Sequence, residues 1–350
     1  MDRVRILVLG GTSFLGRAAT LAAVGRGHDV TCAARGVSGA PAAGASFVAT
    51  DRDQEYGLAE VAARRWDAVV DVARQPRHVA RAVRDLAPVT GHYVFVSTVN
   101  VYAGWPGGSD DESSTRVAPL RGDWTGPGAY AAAKVACEDL VTAAFAPPRV
   151  TLVRPALIGG PGDVSGRSGY WPWRFAHPTG PRVLVPDVPA QPCQILDVRD
   201  LADWLVAICE RRLAGAFNAA GVQTTVQKTL GLSRRVAGGG AAPLPASSSW
   251  LLDHGVIPWL GPRSLPLWLG DDLQPAITSC GPAVAAGLRR RPLRVTLADA
   301  LTYELGRVDP PPHGAGLTDA EERELIAALL GTGTPGRGVG TPWIPPLSLM

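Results

Sequence analysis

The feature that most constrains the fold is a regular alternation of short apolar runs with helix-forming stretches over the first 220 residues. The apolar runs predict strands at 4–9, 29–34, 46–49, 67–72, 92–97, 149–154 and 215–219. The stretches between them predict helices near 14–26, 54–65, 75–87, 128–145 and 199–212. Continuous apolar strands alternating with helices are typical of a parallel sheet covered on both faces. Because crossovers are right-handed, the sequence predicts an α/β fold with a doubly wound parallel sheet of the Rossmann type.

The pattern changes after about residue 220, where the alternation is expected to stop and residues 237–270 become rich in Gly, Pro, Ser and Trp. A last helix is predicted from Thr318, because Thr318 and Glu321 have the spacing of a capping box. We therefore expect a smaller C-terminal region on the substrate side of the sheet. The predicted organisation is a dinucleotide-binding domain (1–155, its sheet completed by about 190–220), a substrate-binding region (156–189 and 221–330) and a Gly/Pro-rich tail (331–350).

Composition narrows the class of partner. The chain has 34 basic and 31 acidic residues, a formal charge of +3, which is too mild to predict nucleic acid or a membrane surface as the main partner. No stretch approaches the roughly 18 apolar residues that a membrane span needs. The five cysteines are scattered, without a CxxC pair or nearby histidine pairs. This spacing argues against a metal site and a disulfide framework, and it predicts a cytoplasmic protein.

A glycine-rich turn, ILVLGGTSFLGR, follows the first predicted strand and opens the first predicted helix. Gly10 and Gly16 let the backbone turn tightly and approach a pyrophosphate, which the helix N-terminus favours. Ser13 stands where a third glycine is expected, but its side chain is small and its hydroxyl is able to donate to a phosphate. The strand–turn–helix context makes this turn a specific signal for a dinucleotide.

The end of the second predicted strand bears on cofactor choice. NAD sites usually place an acid there for the ribose hydroxyls, whereas this chain has Ala33 and Ala34 followed by Arg35. A guanidinium suits the 2′-phosphate of NADP, and Arg17 adds a second positive charge nearby. The sequence thus favours NADP over NAD, although Arg35 also fits a solvated loop. Asp51, after the third strand, is expected either to bind the adenine amino group or to cap the next helix.

Tyr130 and Lys134 stand four residues apart in YAAAK, on one face of a predicted helix. Free tyrosine has a pKa of about 10, too high for efficient proton exchange near neutrality. A nearby ammonium favours the phenolate, so the pair is suited to acid/base work. Ser97 and Thr98 end the fifth strand, at the ligand-side edge of a parallel sheet. A surface helix with a solvated lysine is the alternative interpretation.

These segments together resemble the short-chain dehydrogenase/reductase family, in its extended or atypical branch. GGTSFLGR, VSTVNVYAG, YAAAK, LVRPALIGGPG and QILDVRDLA occur in the order and at the spacing of that family, over roughly residues 4–220. The resemblance implies that Tyr130 is the general acid/base, that Thr98 holds the reacting oxygen, and that Lys134 also binds the nicotinamide ribose. The cofactor-binding residues that it implies are Gly10, Thr12, Ser13, Phe14, Leu15, Gly16, Arg17, Arg35, Asp51, Ala73, Ser97, Tyr130, Lys134, Pro155, Ala156 and Ile158.

Aromatic residues mark the segments that border the substrate in this family. The family layout implies that these residues face the substrate: Trp105, Tyr170, Trp171, Trp173 and Arg174, with Trp124 in the loop before Tyr130. Such a set suggests a flat or apolar substrate with an anionic or carbonyl group. Ordinary core packing is an equally good interpretation of these tryptophans. The family also implies a homodimer, formed by the helices predicted at 75–87 and 128–145.

Three functions fit these features. The first is an NADPH-dependent reductase of a carbonyl or imine in a small molecule, in specialised metabolism. The second is an epimerase or dehydratase that acts on a nucleotide sugar. Sugar 4,6-dehydratases carry Asp-Glu directly after the catalytic threonine, whereas Val99 and Asn100 follow Thr98 here. The third is a non-catalytic nucleotide- or RNA-binding relative, which the basic run at 288–294 leaves open. The presence of Thr98, Tyr130 and Lys134 together, and the mild net charge, favour an enzyme.

Overall fold

The structure is a computed structural model, and it describes residues 3–104, 111–270, 277–307 and 314–331. The predicted tail therefore lies, beyond Gly331, outside the described residues. The strands are β1 (Arg5–Leu9), β2 (Asp29–Ala34), β3 (Ser46–Ala49), β4 (Trp66–Asp71), β5 (Thr90–Val96), β6 (Val150–Pro155), β7 (Leu157–Gly159), β8 (Arg182–Pro186), β9 (Pro192–Cys193), β10 (Ile195–Asp197), β11 (Gly215–Ala219), β12 (Thr224–Thr225), β13 (Ala242–Ala246), β14 (Ile257–Pro258), β15 (Gly261–Pro262), β16 (Ser264–Leu265) and β17 (Ala315–Gly316).

The helices alternate with these strands. They are α1 (Phe14–Gly25), α2 (Ala59–Ala62), α3 (Pro76–Leu86), α4 (Tyr130–Ala144), α5 (Tyr170–Ala176), α6 (Val198–Arg211), α7 (Val226–Val236), α8 (Ser248–Asp253), α9 (Gly281–Ala285), α10 (Leu293–Leu305) and α11 (Asp319–Leu329), with 3₁₀ turns at Ala87–Val89, Val99–Val101, Pro127–Ala129 and Pro147–Arg149.

Seven strands form one parallel sheet in the order β11-β6-β5-β4-β1-β2-β3. The order reverses between β1 and β4, which is the switch point where doubly wound sheets bind their ligands. The predicted doubly wound fold is therefore confirmed. The predicted helix at 54–65 is wrong in length, because residues 51–57 form successive turns. Gly57 explains this, since a Cβ there would lie 1.9 Å from the carbonyl oxygen of Asp51.

Alternate residues of the strands face opposite helical layers. Ile6 and Val8 of β1 pack in the core that includes α1 and α6. Leu7 and Leu9 of the same strand pack in the core that includes α3 and α4. Both faces of the sheet are thus buried, which is why the strands read as unbroken apolar runs.

A third core lies in the C-terminal part of the chain, where it joins residues of α5, β8, α7, α8 and α11. The expectation that strand–helix alternation stops after about 220 is wrong, because short elements continue it. β13 pairs in parallel with β8, although it contains Pro243 and Pro245. Proline is tolerated there because β13 has only one neighbouring strand. The predicted capping box is confirmed, with reciprocal bonds between Thr318 and Glu321.

Neither a membrane span nor a metal-binding cluster is found in the described ranges. No helix there is long and apolar enough to cross a membrane. No group of three or more histidines, cysteines or acids is placed to hold a metal ion in the same part of the chain. All five cysteines are free and buried.

Candidate functional site

The glycine turn between β1 and α1 has the close backbone approach that the sequence predicts. Gly10 has a φ of +91°, which favours glycine. A Cβ on Gly16 would lie 2.2 Å from the carbonyl oxygen of Gly10, so a side chain there does not fit. Ser13 is the N-cap of α1, but its side chain makes no capping bond. The turn therefore leaves a small residue and a helix N-terminus facing the groove, an arrangement that fits a pyrophosphate.

A groove with a volume of about 390 Å³ runs along the carboxyl ends of β1 to β4. The predicted cofactor residues that line it are Gly10, Thr12, Ser13, Arg35, Asp51 and Ala73. Ala33 and Ala34 line it as well, so that no acid of β2 faces the ribose position. Arg35 is exposed and forms no ion pair with any described residue. The groove suits a dinucleotide, and Arg35 places an exposed cation at the end of β2.

Other predicted cofactor residues lie around the groove rather than along it. Phe14 and Arg17 line an adjoining depression, and Leu15 packs in the core beneath α1. Pro155 is buried at the end of β6, and Ile158 packs against the same core as Leu15. Leu15 and Pro155 are therefore buried and do not line the groove.

Asp51 has a local partner. Its Oδ1 accepts a hydrogen bond from the backbone N–H of Asp53 at 3.0 Å, so Asp51 closes the turn after β3. The sequence did not identify the neighbouring Arg52, which lines the groove and bonds the buried Asp71 at 2.8 Å. The other oxygen of Asp71 accepts from the Tyr93 hydroxyl at 2.8 Å. This network fixes the end of β4, next to the groove.

Tyr130 and Thr98 meet at the edge of the sheet, as the sequence predicts. Tyr130 opens α4, and Thr98 follows β5 as the N-cap of a 3₁₀ turn. Burial raises the pKa of the Tyr130 phenol above its usual value of about 10, and the charge of Arg74 and the hydroxyl of Thr98 offset part of that rise. The phenol is thus held protonated in this structure, in the form that donates to a substrate oxygen. Ser97 is buried, and its hydroxyl has no partner among the described residues.

Lys134 lies one turn further along α4 and is almost completely buried. Its Nζ donates to the backbone oxygens of Ala73 at 2.7 Å and Val96 at 2.5 Å, at the ends of β4 and β5. Burial lowers the pKa of Lys134 to about 8. Lys134 therefore ties α4 to two strands, and it has one ammonium proton left for a further acceptor.

Arg74 and Trp124 also approach Tyr130, and no sequence motif marks either of them as catalytic. The guanidinium carbon of Arg74 lies 5.5 Å from the ring centroid of Trp124. The ring centroids of Trp124 and Tyr130 lie 5.8 Å apart. Gln75 holds Trp124 in place through two bonds to its backbone, of 2.8 and 3.1 Å. The positive charge of Arg74 lowers the pKa of Tyr130. A lone arginine after a strand carries no signal that sequence reasoning can use.

A second cavity lies beyond Thr98, with a volume of about 70 Å³. Its walls come from the segments after β5 and β6 and from the C-terminal region. The lining residues include Thr98, Asn100, Ala156, Cys193, Trp259, Leu267 and Leu269. Ala156, predicted to bind the cofactor, thus lies on the wall of this cavity. Because Thr98 lines it and lies close enough to Tyr130 to lower the pKa of that phenol, the cavity is the candidate substrate site.

The predicted substrate residues of α5 do not line this cavity, which is a correction. Tyr170 and Trp171 are buried in the third core, where Trp171 Nε1 donates to the backbone oxygen of Pro266 at 2.9 Å. Arg174 is fully buried and pairs with Asp319 at 2.7 Å. Trp173 stacks on His177 outside the cavity. Their side chains turn inward because α5 supplies one wall of that core.

One further predicted substrate residue, Trp105, lies outside the described residues. Trp124, by contrast, lines the cofactor groove. Of the sequence-predicted aromatic residues in the described ranges, Trp124 alone is thus placed beside both the groove and Tyr130.

Comparisons with known proteins agree with this architecture. Residues 6–90 match the model of the NAD dependent epimerase/dehydratase family. This match covers the glycine turn and the first strands of the sheet, and over that part of the chain it agrees with the resemblance that the motifs indicated. No curated protein matches the sequence significantly.

Several solved structures share the fold. UDP-glucose 4-epimerase of Thermus thermophilus, in complex with NAD, is 18% identical with a TM-score of 0.64, over 87% of this chain and 100% of that one. UDP-N-acetylglucosamine 4-epimerase of Bacillus cereus is 14% identical with a TM-score of 0.65, over 88% and 99%. The Bordetella bronchiseptica enzyme WbmH, in complex with NAD+, is 17% identical with a TM-score of 0.65, over 87% and 99%. These likenesses show the common fold.

Proposed function

We propose that this chain is an NAD(P)-dependent enzyme that moves a hydride to or from a substrate carbon bearing an oxygen, with Tyr130 as the proton donor and acceptor. The observation that carries the proposal is the position of Thr98, which lines the candidate substrate cavity and lies close enough to Tyr130 to lower the pKa of its phenol, as the charge of Arg74 also does. The match to a family of NAD-dependent enzymes supports the cofactor class. A bound nicotinamide supplies or accepts the hydride.

The residues of this chain handle the proton and the orientation of the substrate. In the reducing direction, Tyr130 gives its phenolic proton to the substrate oxygen, and Thr98 holds that oxygen. The resulting phenolate is stabilised by the nearby charge of Arg74. In the oxidising direction, the phenolate takes the hydroxyl proton back. Lys134 keeps α4 in register with β4 and β5, so that Tyr130 stays at the edge of the sheet.

A redox-neutral reaction of the epimerase type is the form of this chemistry that the comparisons support better. The matched family model and the named UDP-sugar epimerases both use this fold. In such a cycle, one substrate carbon is oxidised and then reduced from the other side, so that the cofactor is regenerated. Tyr130 would take the proton in the first half and return it in the second. NAD, held through the whole cycle, is the cofactor that this form requires.

A net NADPH-dependent reduction is the second candidate, and three features of the chain favour it. The groove has Arg35 and no acid at the end of β2. Val99 and Asn100 occupy the positions of the acid pair that sugar dehydratases use. The substrate cavity of about 70 Å³ is small compared with the roughly 300–1,000 Å³ of typical ligand pockets.

Mass analysis of nucleotide released from the purified protein tests the cofactor, and titration with NADH and NADPH follows. Nicotinamide absorbance is then monitored during incubation with UDP-sugars and with small carbonyl compounds. Sugar conversion without a net absorbance change supports the redox-neutral form, whereas stoichiometric loss of NADPH supports the reductase. A protein that binds neither nucleotide would contradict both.

A further inference from the structure

Arg167 is a charged residue beside the candidate site that none of the contacts described so far explains. Its guanidinium carbon lies 5.1 Å from the ring centroid of Trp259, a residue that lines the substrate cavity. Its Nε donates to Ser165 Oγ at 2.9 Å. Within the described ranges, its two terminal nitrogens make no hydrogen bond and no carboxylate lies within salt-bridge distance. The side chain therefore presents two unused N–H-bearing nitrogens.

No described carboxylate pairs directly with Arg167. Asp163 is the acid whose charge acts most strongly on Arg167. Its Oδ1 accepts a hydrogen bond from the Ser165 hydroxyl, and its Oδ2 accepts one from the Ser168 hydroxyl. Burial lowers the pKa of Arg167, and the Tyr130 phenol is close enough for the two to interact electrostatically. A partly buried cation without a paired anion is costly, and a bound anion relieves that cost.

Asn100, which lines the cavity, supplies a second unused donor. Its side chain is 4% exposed, and its Nδ2 has no partner among the described residues. Its Oδ1 lies 3.4 Å from the Thr98 hydroxyl, and its backbone N–H donates to Thr98 Oγ1 at 3.2 Å. The amide is therefore fixed beside Thr98, with its N–H₂ group left for a ligand. A buried amide donor without a partner destabilises the empty site, so an acceptor from a ligand is favoured there.

Building on the proposed function, we propose that the substrate is a small carboxylate with a carbonyl or hydroxyl group close to its carboxyl group. Arg167 binds the carboxylate at the Trp259 side of the cavity, while Asn100 Nδ2 and Thr98 hold the reacting oxygen near Tyr130. A guanidinium stacked on an indole leaves its nitrogen edge free for a planar oxyanion. The small cavity favours such a compound over a nucleotide diphosphate.

The test uses oxamate, a small 2-oxo carboxylate, and oxamide, its neutral counterpart. Calorimetry is carried out on the full-length protein saturated with whichever nucleotide it binds. We expect oxamate to bind the parent protein more tightly than oxamide. Arg167→Gln should weaken oxamate by roughly ten- to a hundredfold, the effect of one charge-assisted bond, and leave oxamide nearly unchanged. Asn100→Ala should weaken both ligands.

Arg235→Gln is the matched control, because Arg235 is exposed on α7 and forms no ion pair with a described residue. It removes the same charge far from the cavity and should leave oxamate binding unchanged. Arg167→Lys keeps the charge without the planar fork and should restore part of the affinity. Thermal unfolding of each variant shows whether it is folded.

Several outcomes would overturn the inference. One is equal binding of oxamate and oxamide by the parent protein. Another is an equal loss of oxamate binding in the Arg167 and Arg235 variants. Phosphate or UDP binding that is tighter than oxamate binding and depends on Arg167 would replace the carboxylate with a phosphate. Cofactor titration of the same samples separates the two proposals. If the protein binds no nucleotide, the proposed function is wrong. If it binds nucleotide but does not prefer oxamate over oxamide, only the proposal of a carboxylate substrate is wrong.

Discussion

The cofactor groove and the substrate cavity are held in shape by different parts of the chain. The groove follows the carboxyl ends of adjacent strands, so the continuous backbone bonds of the sheet fix its walls. The cavity is closed by short segments of the C-terminal region, and the side chains of two glutamines hold these segments in place through hydrogen bonds. Gln191 bonds the backbone of Leu267 at 2.6 Å and Leu269 at 3.3 Å. Gln194 bonds the N–H of Thr278 at 3.0 Å and its carbonyl oxygen at 3.3 Å.

Because of this difference, we expect point substitutions to have different effects in the groove and in the cavity. Backbone bonds of a buried sheet survive replacement of a side chain, so changes in the groove should alter ligand affinity and little else. The cavity depends on individual side chains, so a change there should alter local structure first and affinity second. The following changes test this division, from the largest expected effect to the smallest.

Tyr130→Phe should produce the largest effect, because it removes the proton donor and leaves the ring packed against Trp124. A positioned general acid contributes about a hundredfold to ten-thousandfold to the rate. We therefore expect the single-turnover hydride step, followed by nicotinamide absorbance, to slow by at least about a hundredfold. Cofactor affinity should not change. Tyr56→Phe, at an exposed position, is the control, and near-parent turnover of Tyr130→Phe would remove Tyr130 from the mechanism.

Arg174→Leu should unfold the C-terminal region more easily, because it leaves the buried carboxylate of Glu322 unpaired. Arg174 lies 2.7 Å from Asp319 and 3.3 Å from Glu322. Breaking a buried pair costs about 3–5 kcal/mol, measurable by urea unfolding. The exposed Arg182 offers the matched control, Arg182→Leu. If both variants lose the same small amount of stability, α5 and α11 are not held together by this pair.

Arg35→Ala should weaken NADPH by roughly 1.5–3 kcal/mol, the cost of one charge-assisted hydrogen bond, and should leave NADH nearly unchanged. The reason is that only NADPH carries a 2′-phosphate for the exposed guanidinium. Fluorescence titration with both nucleotides measures the effect. Arg17→Ala, in the adjoining depression, should cause a smaller loss. Equal affinity of the parent protein for both nucleotides would argue against NADP preference and for the redox-neutral form of the reaction.

Gln194→Ala should have the smallest effect, since it removes a side-chain tie without opening the sheet. Loss of a hydrogen bond of about 1 kcal/mol should speed hydrogen exchange of the Thr278 amide roughly fivefold through local opening. Cofactor affinity should be unchanged. Gln227→Ala, at an exposed position on α7, provides the comparison. Unaltered exchange at Thr278 would show that this segment does not depend on Gln194.

Sequence patterns predict the sheet half well because its signals are local. The seven predicted strands lie within about two residues of the observed ones. Gly10, Gly16, Thr98 and Tyr130 are recognisable because each lies at a fixed place in a strand–turn–helix unit. Those positions follow from the backbone path of a parallel sheet, so they do not depend on how side chains pack elsewhere in the molecule.

The substrate side could not be predicted in the same way, because its contacts are long-range. Arg174 pairs with Asp319, 145 residues later, and nothing in the local sequence distinguishes such a pair from a ligand-binding arginine. Arg167 is only seven residues before Arg174, yet its side chain lies beside the cavity whereas that of Arg174 is buried in the core. Which of the two faces the ligand depends on how α5 packs, and packing is decided by residues far away in the chain.

Each half of the molecule contains a buried thiol, so the rate at which each half exposes its thiol is measurable separately. Burial raises the pKa of Cys137 to about 12 and that of Cys193 to about 11, so neither thiol reacts with an alkylating reagent while it stays enclosed. Cys137 packs in the core beneath β4 and β5, whereas Cys193 packs in the third core and also lines the substrate cavity. The labelling rate of Cys137 therefore reports opening of the sheet core, and that of Cys193 reports access to the cavity. A dinucleotide should slow the labelling of Cys137, and a substrate-like carboxylate should slow that of Cys193.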